Sequence, residues 1–165
     1  MLDIYEISFA YDNNETYIRL SNNNEEEMHM IKIIMGTRGT GKSKTMVQLA
    51  NKAVGEDAGE VVFINNSSKR MYEVNYNVRF IDTSEFNIAD YCMYYGFICG
   101  IISENFDISQ IYIDEISEIS YDKQHSFEQF LNDIQKISSQ FDISFTIAVD
   151  GDSQTAPDYL KKYIA

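Results

Sequence analysis

The sequence predicts an α/β protein of three layers, in which helices cover both faces of a mainly parallel central sheet. Two observations predict this fold. Short apolar runs typical of buried strands alternate along most of the chain with segments of helical periodicity, whereas the first twenty residues alternate apolar and polar side chains. The 165 residues, of which 44% are hydrophobic, suit one main globular domain with a core of its own.

The first 27 residues are predicted to form a β-hairpin and an acidic linker. Residues 2–9 and 16–20 show the alternation of half-buried strands, and the segment Tyr11–Glu15 between them is rich in turn-forming residues. The segment 21–27 is entirely polar. We therefore predict that residues 28–165 form the main domain.

Apolar runs in the main domain are predicted to be strands at residues 30–35, 60–65, 78–82, 110–114 and 143–149. A first helix is predicted from about Gly41 to a stop signal at Gly55, and a second over residues 86–104. A third is indicated by apolar residues at helical spacing, which are Phe127, Phe130, Leu131, Ile134 and Ile137. Pro157, the only proline, is predicted to open a short C-terminal helix.

The segment between the first strand of the main domain and its helix is a complete G-x-x-x-x-G-K-[ST] match. It reads Gly36-Thr37-Arg38-Gly39-Thr40-Gly41-Lys42-Ser43. In this motif glycines let successive backbone N–H groups turn into one concavity, and the helix that follows directs its positive end at the same point. The motif therefore predicts a nucleotide phosphate site and specifies the fold as that of a P-loop NTPase.

Each residue type in this motif has a predicted task. The N–H groups of Gly39 to Ser43 should surround the β-phosphate, Lys42 should reach the β- and γ-phosphates, and Ser43 should bind Mg²⁺. Arg38 could contact a phosphate or offset nearby acids, and both interpretations stay open. The predicted nucleotide-binding residues are Gly36, Thr37, Arg38, Gly39, Thr40, Gly41, Lys42, Ser43 and Lys44.

An acid pair ends the predicted strand at 110–114. Asp114 and Glu115 follow the apolar residues Ile111 to Ile113, at the carboxyl end of a strand, where open α/β sheets bind their ligands. Asp114 is predicted to hold Mg²⁺ together with Ser43. Glu115 is predicted to be the general base, since a carboxylate beside the metal acid can deprotonate a water. The alternatives for Glu115 are a solvated acid or a charge at the start of a helix.

These two segments resemble the additional-strand catalytic-Glu division of P-loop NTPases, which includes RecA-like and AAA-type ATPases. The resemblance implies that residues 143–149 lie between the phosphate-loop strand and the Asp114 strand. It also implies a polar sensor at the end of that strand, for which the candidates are Asp150, Asp152, Ser153 and Gln154. A fifth strand beyond the phosphate loop has no evident counterpart, and we hypothesise that the N-terminal hairpin occupies that edge.

The order of segments is also similar to the core of bacterial-type thymidine kinases. The similarity covers roughly residues 30–155 and rests on Ile113-Asp114-Glu115 and on the turn Val149-Asp150-Gly151-Asp152. It implies that Glu115 would act on a nucleoside hydroxyl. The chain departs from that family in having two cysteines, which cannot form its four-cysteine zinc site.

Charge and apolar content limit the partners. A net charge of −13 argues against general binding to nucleic acid or to anionic membranes. The apolar segment 91–102 is too short to span a bilayer and predicts a buried core helix, with a self-association or partner surface as the alternative. Cys92 and Cys99 are predicted to be buried free thiols of a cytoplasmic protein.

Three functions compete on this basis. The first is a Mg²⁺-dependent ATPase whose turnover drives or signals a protein partner. The second is a small-molecule kinase of the nucleoside type, for which Lys69, Arg70 and Arg79 could line an acceptor site. The third is a nucleotide-dependent binding module with negligible turnover. ATP is favoured over GTP, since no Asn-Lys-x-Asp guanine-recognition segment occurs.

Overall fold

The structure is a computed structural model, which describes residues 5–12, 15–22, 31–55, 59–116, 126–157 and Tyr159. These residues form seven strands and three α-helices. In chain order they are β1 (Tyr5–Asp12), β2 (Glu15–Asn22), β3 (Ile31–Gly36), α1 (Lys42–Ala53), β4 (Glu60–Asn65), β5 (Val78–Asp82), α2 (Tyr91–Glu104), β6 (Ile108–Ile113), α3 (Phe127–Phe141) and β7 (Ser144–Asp150). Most of the predicted linker and the predicted C-terminal helix lie outside the described residues.

The described strands form one sheet in the order β1-β2-β3-β7-β6-β4-β5. The five strands from β3 to β5 in this order are all parallel, which confirms the predicted α/β class. β7 lies between β3 and β6, in the position that the resemblance implied. β1 and β2 pair antiparallel with each other, and β2 pairs antiparallel with β3. The hairpin therefore occupies the sheet edge where it was hypothesised to lie.

Helices lie against both faces of the sheet, because the central strands bury side chains on both of their faces. On one face, Met46 and Ala50 of α1 pack in a cluster with Phe63 and Tyr112. On the other face, α2 and α3 contribute residues such as Ile98 and Ile134 to a larger cluster. The parallel strands and their two helix layers direct all five carboxyl ends toward one edge, where the site lies.

The predicted helix over 86–104 begins later than expected, at Tyr91. Its N-cap is Asp90, whose side chain accepts a hydrogen bond from the Met93 N–H at 2.7 Å. Upstream, the Asp82 side chain accepts from the Ser84 N–H and starts a separate 3-10 turn over Thr83–Glu85. Polar side chains that bond to nearby backbone thus set the start of the helix, and hydrophobic periodicity alone overextends it.

α2 is less buried than the core helix that was predicted for residues 91–102, and the prediction of buried thiols is wrong for Cys92. Only Tyr94, Ile98, Ile101 and Ile102 are buried, whereas Cys92 is exposed and Cys99 is partly exposed. A Cβ added at Gly96 or Gly100 would meet no atom within 4 Å, so these glycines do not mediate close packing among the described residues. α2 is an outer-layer helix with one face in the core. None of the described helices is long and apolar enough to cross a membrane.

Gly59 marks a close approach between the start of β4 and the start of β6. A Cβ at this position would lie 2.5 Å from the Ser109 Cβ and 2.7 Å from the Asp107 carbonyl oxygen. We expect Gly59→Ala to lower the free energy of unfolding by about 1–3 kcal/mol, because the two strands must separate to admit the methyl group. Urea unfolding of the two proteins measures this difference.

Gly55→Ala is the matched control for this substitution. An added Cβ there meets only the Lys52 carbonyl oxygen at 3.7 Å, which is an ordinary contact. We expect its effect to be within about 1 kcal/mol of zero. Equal destabilisation by both substitutions would contradict the close approach at Gly59.

Candidate functional site

The candidate site lies at the carboxyl ends of β3, β6 and β7. There the chain encloses a cavity of about 290 Å³. It is lined by Arg38, Gly39, Lys42, Ser43, Asp114, Glu115, Ala148 and Asp150. The fold thus brings the Gly36–Ser43 loop and the acid pair Asp114-Glu115, which are distant in sequence, to one cavity.

Glycine conformations shape the Gly36–Ser43 loop. Gly39 and Gly41 have φ angles of 86° and 96°, in the left-handed region that side chains disfavour. Thr40 closes the turn, since its backbone N–H and its hydroxyl both donate to the Thr37 carbonyl, at 3.3 and 2.8 Å. Gly41 is the N-cap of α1 and supplies no side-chain cap. The loop therefore leads directly into the positive end of a 12-residue helix.

Lys42 is held at the base of this loop. Its Nζ donates to the carbonyl oxygens of Gly36 and Thr37, at 2.8 and 2.9 Å. It also forms an ion pair with the Asp150 Oδ1 at 2.9 Å, and its side chain is only 10% exposed. Arg38 is 80% exposed and pairs with the Asp150 Oδ2 at 3.4 Å. Of the two interpretations of Arg38, the observed contact is the one with an acid.

Asp114 is a buried acid in contact with the loop. It is 2% exposed; Ser43 donates a side-chain hydrogen bond to it, and the Glu115 N–H donates to its Oδ1 at 3.0 Å. Burial raises the pKa of the Asp114 carboxyl, while these two hydrogen bonds and the nearby charges of Arg70 and Lys42 partly oppose the rise. Its Oδ2 has no hydrogen-bond partner among the described residues.

These oxygens fit a magnesium ion. A buried carboxylate oxygen without a partner, beside a hydroxyl, is the hard-oxygen donor set that Mg²⁺ prefers. No cluster of three His, Cys, Asp or Glu side chains that could hold a metal occurs among the described residues. Mg²⁺ usually keeps several waters and binds through one or two protein groups plus substrate phosphates, so this small set is what such a site requires.

Glu115 borders the cavity with an uncommon backbone. Its φ is 57°, in the left-handed region, which costs on the order of 1 kcal/mol for a residue with a side chain. Such outliers are retained where the surrounding structure imposes them, often at functional sites. Burial of the preceding Asp114 and the hydrogen bond between the two residues hold the chain in this turn.

Several predicted residues are not among those that line the cavity. Thr37, Thr40 and Lys44 are exposed, and none of the three side chains is part of the cavity lining. Arg79, a candidate for an acceptor site, forms ion pairs with Glu104 at 2.6 Å and Glu60 at 3.8 Å. Because Arg79 and Glu60 stand at the amino ends of β5 and β4, Arg79 lies at the edge of the sheet opposite the cavity, and it is a surface charge rather than part of an acceptor site.

Asn65 at the end of β4 escaped the sequence-based prediction. It is 1% exposed and lies beside Asp114, whose N–H donates to the Ile64 carbonyl at 2.9 Å. Its Oδ1 accepts from the Asn66 N–H at 2.7 Å, and its Nδ2 has no partner among the described residues. A polar residue directly after the apolar run Val61–Ile64 was the signal available in the sequence.

The buried charge at Asp114 gives a prediction on stability. Because its pKa in the fold lies above the ordinary value, the fold favours the protonated form, and ionisation at neutral pH lowers the free energy of unfolding. We therefore expect Asp114→Asn to be at least as thermally stable as the native chain without metal. The same variant should lose the Mg²⁺ dependence of nucleotide binding. A lower melting temperature in EDTA together with an unaltered Mg²⁺ titration would contradict both roles.

Comparison with protein-family models gives no match, and comparison with curated proteins gives none either. The function proposed below therefore rests on the residues and the geometry of the site itself.

Proposed function

We propose that this protein is a P-loop ATPase that binds ATP with Mg²⁺ and hydrolyses it to drive or signal a protein partner. One observation carries the proposal. The Gly36–Ser43 loop, with its lysine in place, faces the acid pair Asp114-Glu115 across a single cavity, and Ser43 is hydrogen-bonded to Asp114. A glycine turn without nucleotide function would not require a buried acid against its last residue.

Phosphate binding would use the loop and the start of α1. Backbone N–H groups and the helix dipole provide a fixed positive end that needs no rearrangement. Lys42 adds a full charge that is already positioned by two loop carbonyls. The absence of an Asn-Lys-x-Asp segment favours adenine over guanine.

Ser43 and Asp114 would hold the Mg²⁺, which when bound neutralises developing charge on the phosphate oxygens. Metal binding would also offset the free-energy cost of burying the ionised Asp114 carboxylate, whose Oδ2 has no partner among the described residues. The two protein ligands come from α1 and from the end of β6, so the loop and the sheet are both needed to form the pair.

Glu115 would act as general base. It lines the same cavity as Lys42, so a water between Glu115 and the terminal phosphate lies within its reach. Its carboxylate would accept the proton of that water as the oxygen attacks the terminal phosphorus, and the bond from phosphorus to the β–γ bridging oxygen would break to release ADP. Positioned general bases contribute about 10²–10⁴-fold to rate.

A nucleoside-type kinase is a second candidate, and the position of Arg70 favours it. Arg70 follows β4 in the 3-10 segment Ser68–Glu73, and its charge is close enough to lower the pKa of Asp114. It also pairs with Glu73 at 2.9 Å. A cation beside the acids could orient an acceptor hydroxyl or its substituents. Lys69 precedes it in the same segment.

Product analysis with γ-labelled ATP and Mg²⁺ tests these functions, with and without a mixture of nucleosides. Label released as inorganic phosphate supports the ATPase. Label transferred to a nucleoside supports the kinase instead. Tight binding without any transfer would overturn both activities and favour a nucleotide-dependent binding module. Glu115→Gln is the control that shows whether a transfer depends on this site.

A further inference from the structure

Asp150 closes the cavity on the side of β7. It is the last residue of that strand and stands opposite Gly36 in the parallel register of β3 and β7. Its two oxygens contact the two cations of the cavity, Lys42 at 2.9 Å and Arg38 at 3.4 Å. The carboxylate is 33% exposed, so it is reachable from the cavity.

The contacts of Lys42 leave no donor for a phosphate. An ammonium group has three N–H donors, and its three close acceptors are the Gly36 carbonyl, the Thr37 carbonyl and Asp150. The two carbonyls belong to the loop backbone, where the Thr37 carbonyl also accepts from Thr40. Among the described residues, Asp150 is the one carboxylate that forms an ion pair with Lys42, and a phosphate oxygen can replace it by accepting a hydrogen bond from the same N–H group.

The charges that line the cavity also indicate that Asp150 opposes the binding of a phosphate. Among its lining residues Arg38 and Lys42 are positive, whereas Asp114, Glu115 and Asp150 are negative, so the formal sum is −1. Asp114 and Glu115 have tasks in the proposed reaction. Asp150 has no task in that reaction, and its negative charge would repel a polyphosphate that binds next to it.

We propose that Asp150 occupies the position of the terminal phosphate on Lys42 and Arg38, and that it competes with the nucleotide for these cations. This inference rests on the proposed function and deepens it. Asp150 keeps Lys42 oriented when nucleotide is absent. It lowers the affinity for phosphates that arrive without Mg²⁺, because only a metal-bound polyphosphate both displaces the carboxylate and offsets the acidic surroundings.

The test compares the affinities of three proteins for Mg·ATP and for Mg-bound inorganic tripolyphosphate by calorimetry at fixed ionic strength. Asp150→Asn removes the competing charge and keeps the size of the side chain. Asp107→Asn makes the same change of net charge at an exposed turn before β6, at the opposite edge of the sheet. Asp150→Ser repeats the loss of charge with a smaller group, should the first variant fold poorly.

We expect Asp150→Asn and Asp150→Ser to bind both ligands about 10-fold tighter or more. Repulsion from a like charge within about 4 Å at a partly buried site raises a dissociation constant by at least about 10-fold. Asp107→Asn should stay within about 2-fold of the native chain, because its charge lies beyond the screening length. The Asp150 variants should also bind ATP measurably in EDTA.

Each other outcome overturns the inference. If the native chain binds these ligands and Asp150→Asn binds them equally well or more weakly, Asp150 does not compete with them. The proposed function is not affected by that result. Equal gains in Asp150→Asn and Asp107→Asn assign the effect to net charge alone. No binding of either ligand by the native chain or by the Asp150 variants refutes the proposed phosphate site, and the inference with it.

Discussion

Lys42→Ala is expected to weaken the binding of Mg·ATP by about 100-fold or more. A charge-assisted hydrogen bond to a phosphate oxygen is worth about 1.5–3 kcal/mol, the full charge of Lys42 adds Coulombic attraction, and each 1.4 kcal/mol is a factor of ten. The loss should be larger still, because the substitution removes the partner of Asp150 and leaves that carboxylate facing the phosphates. Isothermal titration calorimetry measures the affinity directly.

Lys32→Ala is the control for this experiment. It removes the same charge from β3, the strand that leads into the loop, but Lys32 is exposed and lies outside the cavity lining. Its affinity should stay close to that of the native chain. Thermal unfolding should show that both variants are folded. If Lys42→Ala binds Mg·ATP as the native chain does, the Gly36–Ser43 loop is not a phosphate site.

Glu115→Gln is expected to reduce the rate of ATP turnover by about 10²–10⁴-fold and to change the affinity for ATP little. The amide keeps the size of the side chain and cannot accept a proton from water. The left-handed backbone at residue 115 should be equally accessible to Gln, so the fold is not expected to change. Steady-state phosphate release and calorimetry together separate the loss of chemistry from a loss of binding.

Glu85→Gln provides the matched control for Glu115→Gln. Glu85 is exposed in the 3-10 turn after β5 and is not among the residues that line the cavity. It should turn ATP over at the native rate. Rates that are negligible and identical in the native chain and Glu115→Gln would mean that the protein binds nucleotide without hydrolysing it. A large rate in Glu115→Gln would assign the base elsewhere.

The sequence was sufficient to predict what depends on local pattern. The parallel strands were found because each is a short apolar run, and the loop because its glycines, lysine and serine are contiguous in the chain. Asp114 was placed by the rule that strand ends carry ligands, and it does lie against Ser43.

Local sequence patterns could not predict the side-chain contacts that depend on the order of strands in the sheet. The pairing of Lys42 with Asp150 exists only because β7 lies directly beside β3. Local patterns do not give that neighbour relation. The resemblance implied it, but Asp150 was considered only as a candidate sensor and as part of a turn, and its contact with Lys42 was not predicted. The exposed face of α2 was missed for a similar reason, since an apolar composition does not show how much of a helix its neighbours cover.

The position of β7 also orders the events by which the protein is made. β7 is the last of the described strands to leave the ribosome, yet it lies in the middle of the sheet. Before it emerges, β3 can pair with β2, and β4 can pair with β5 and β6, but among the described strands no pairing joins these two sets. Both then present an open, apolar strand edge, which is the condition for aggregation of nascent chains. Insertion of β7 closes both edges and completes the candidate cavity in the same step, so a prematurely terminated chain would lack the cavity and be exposed to self-association.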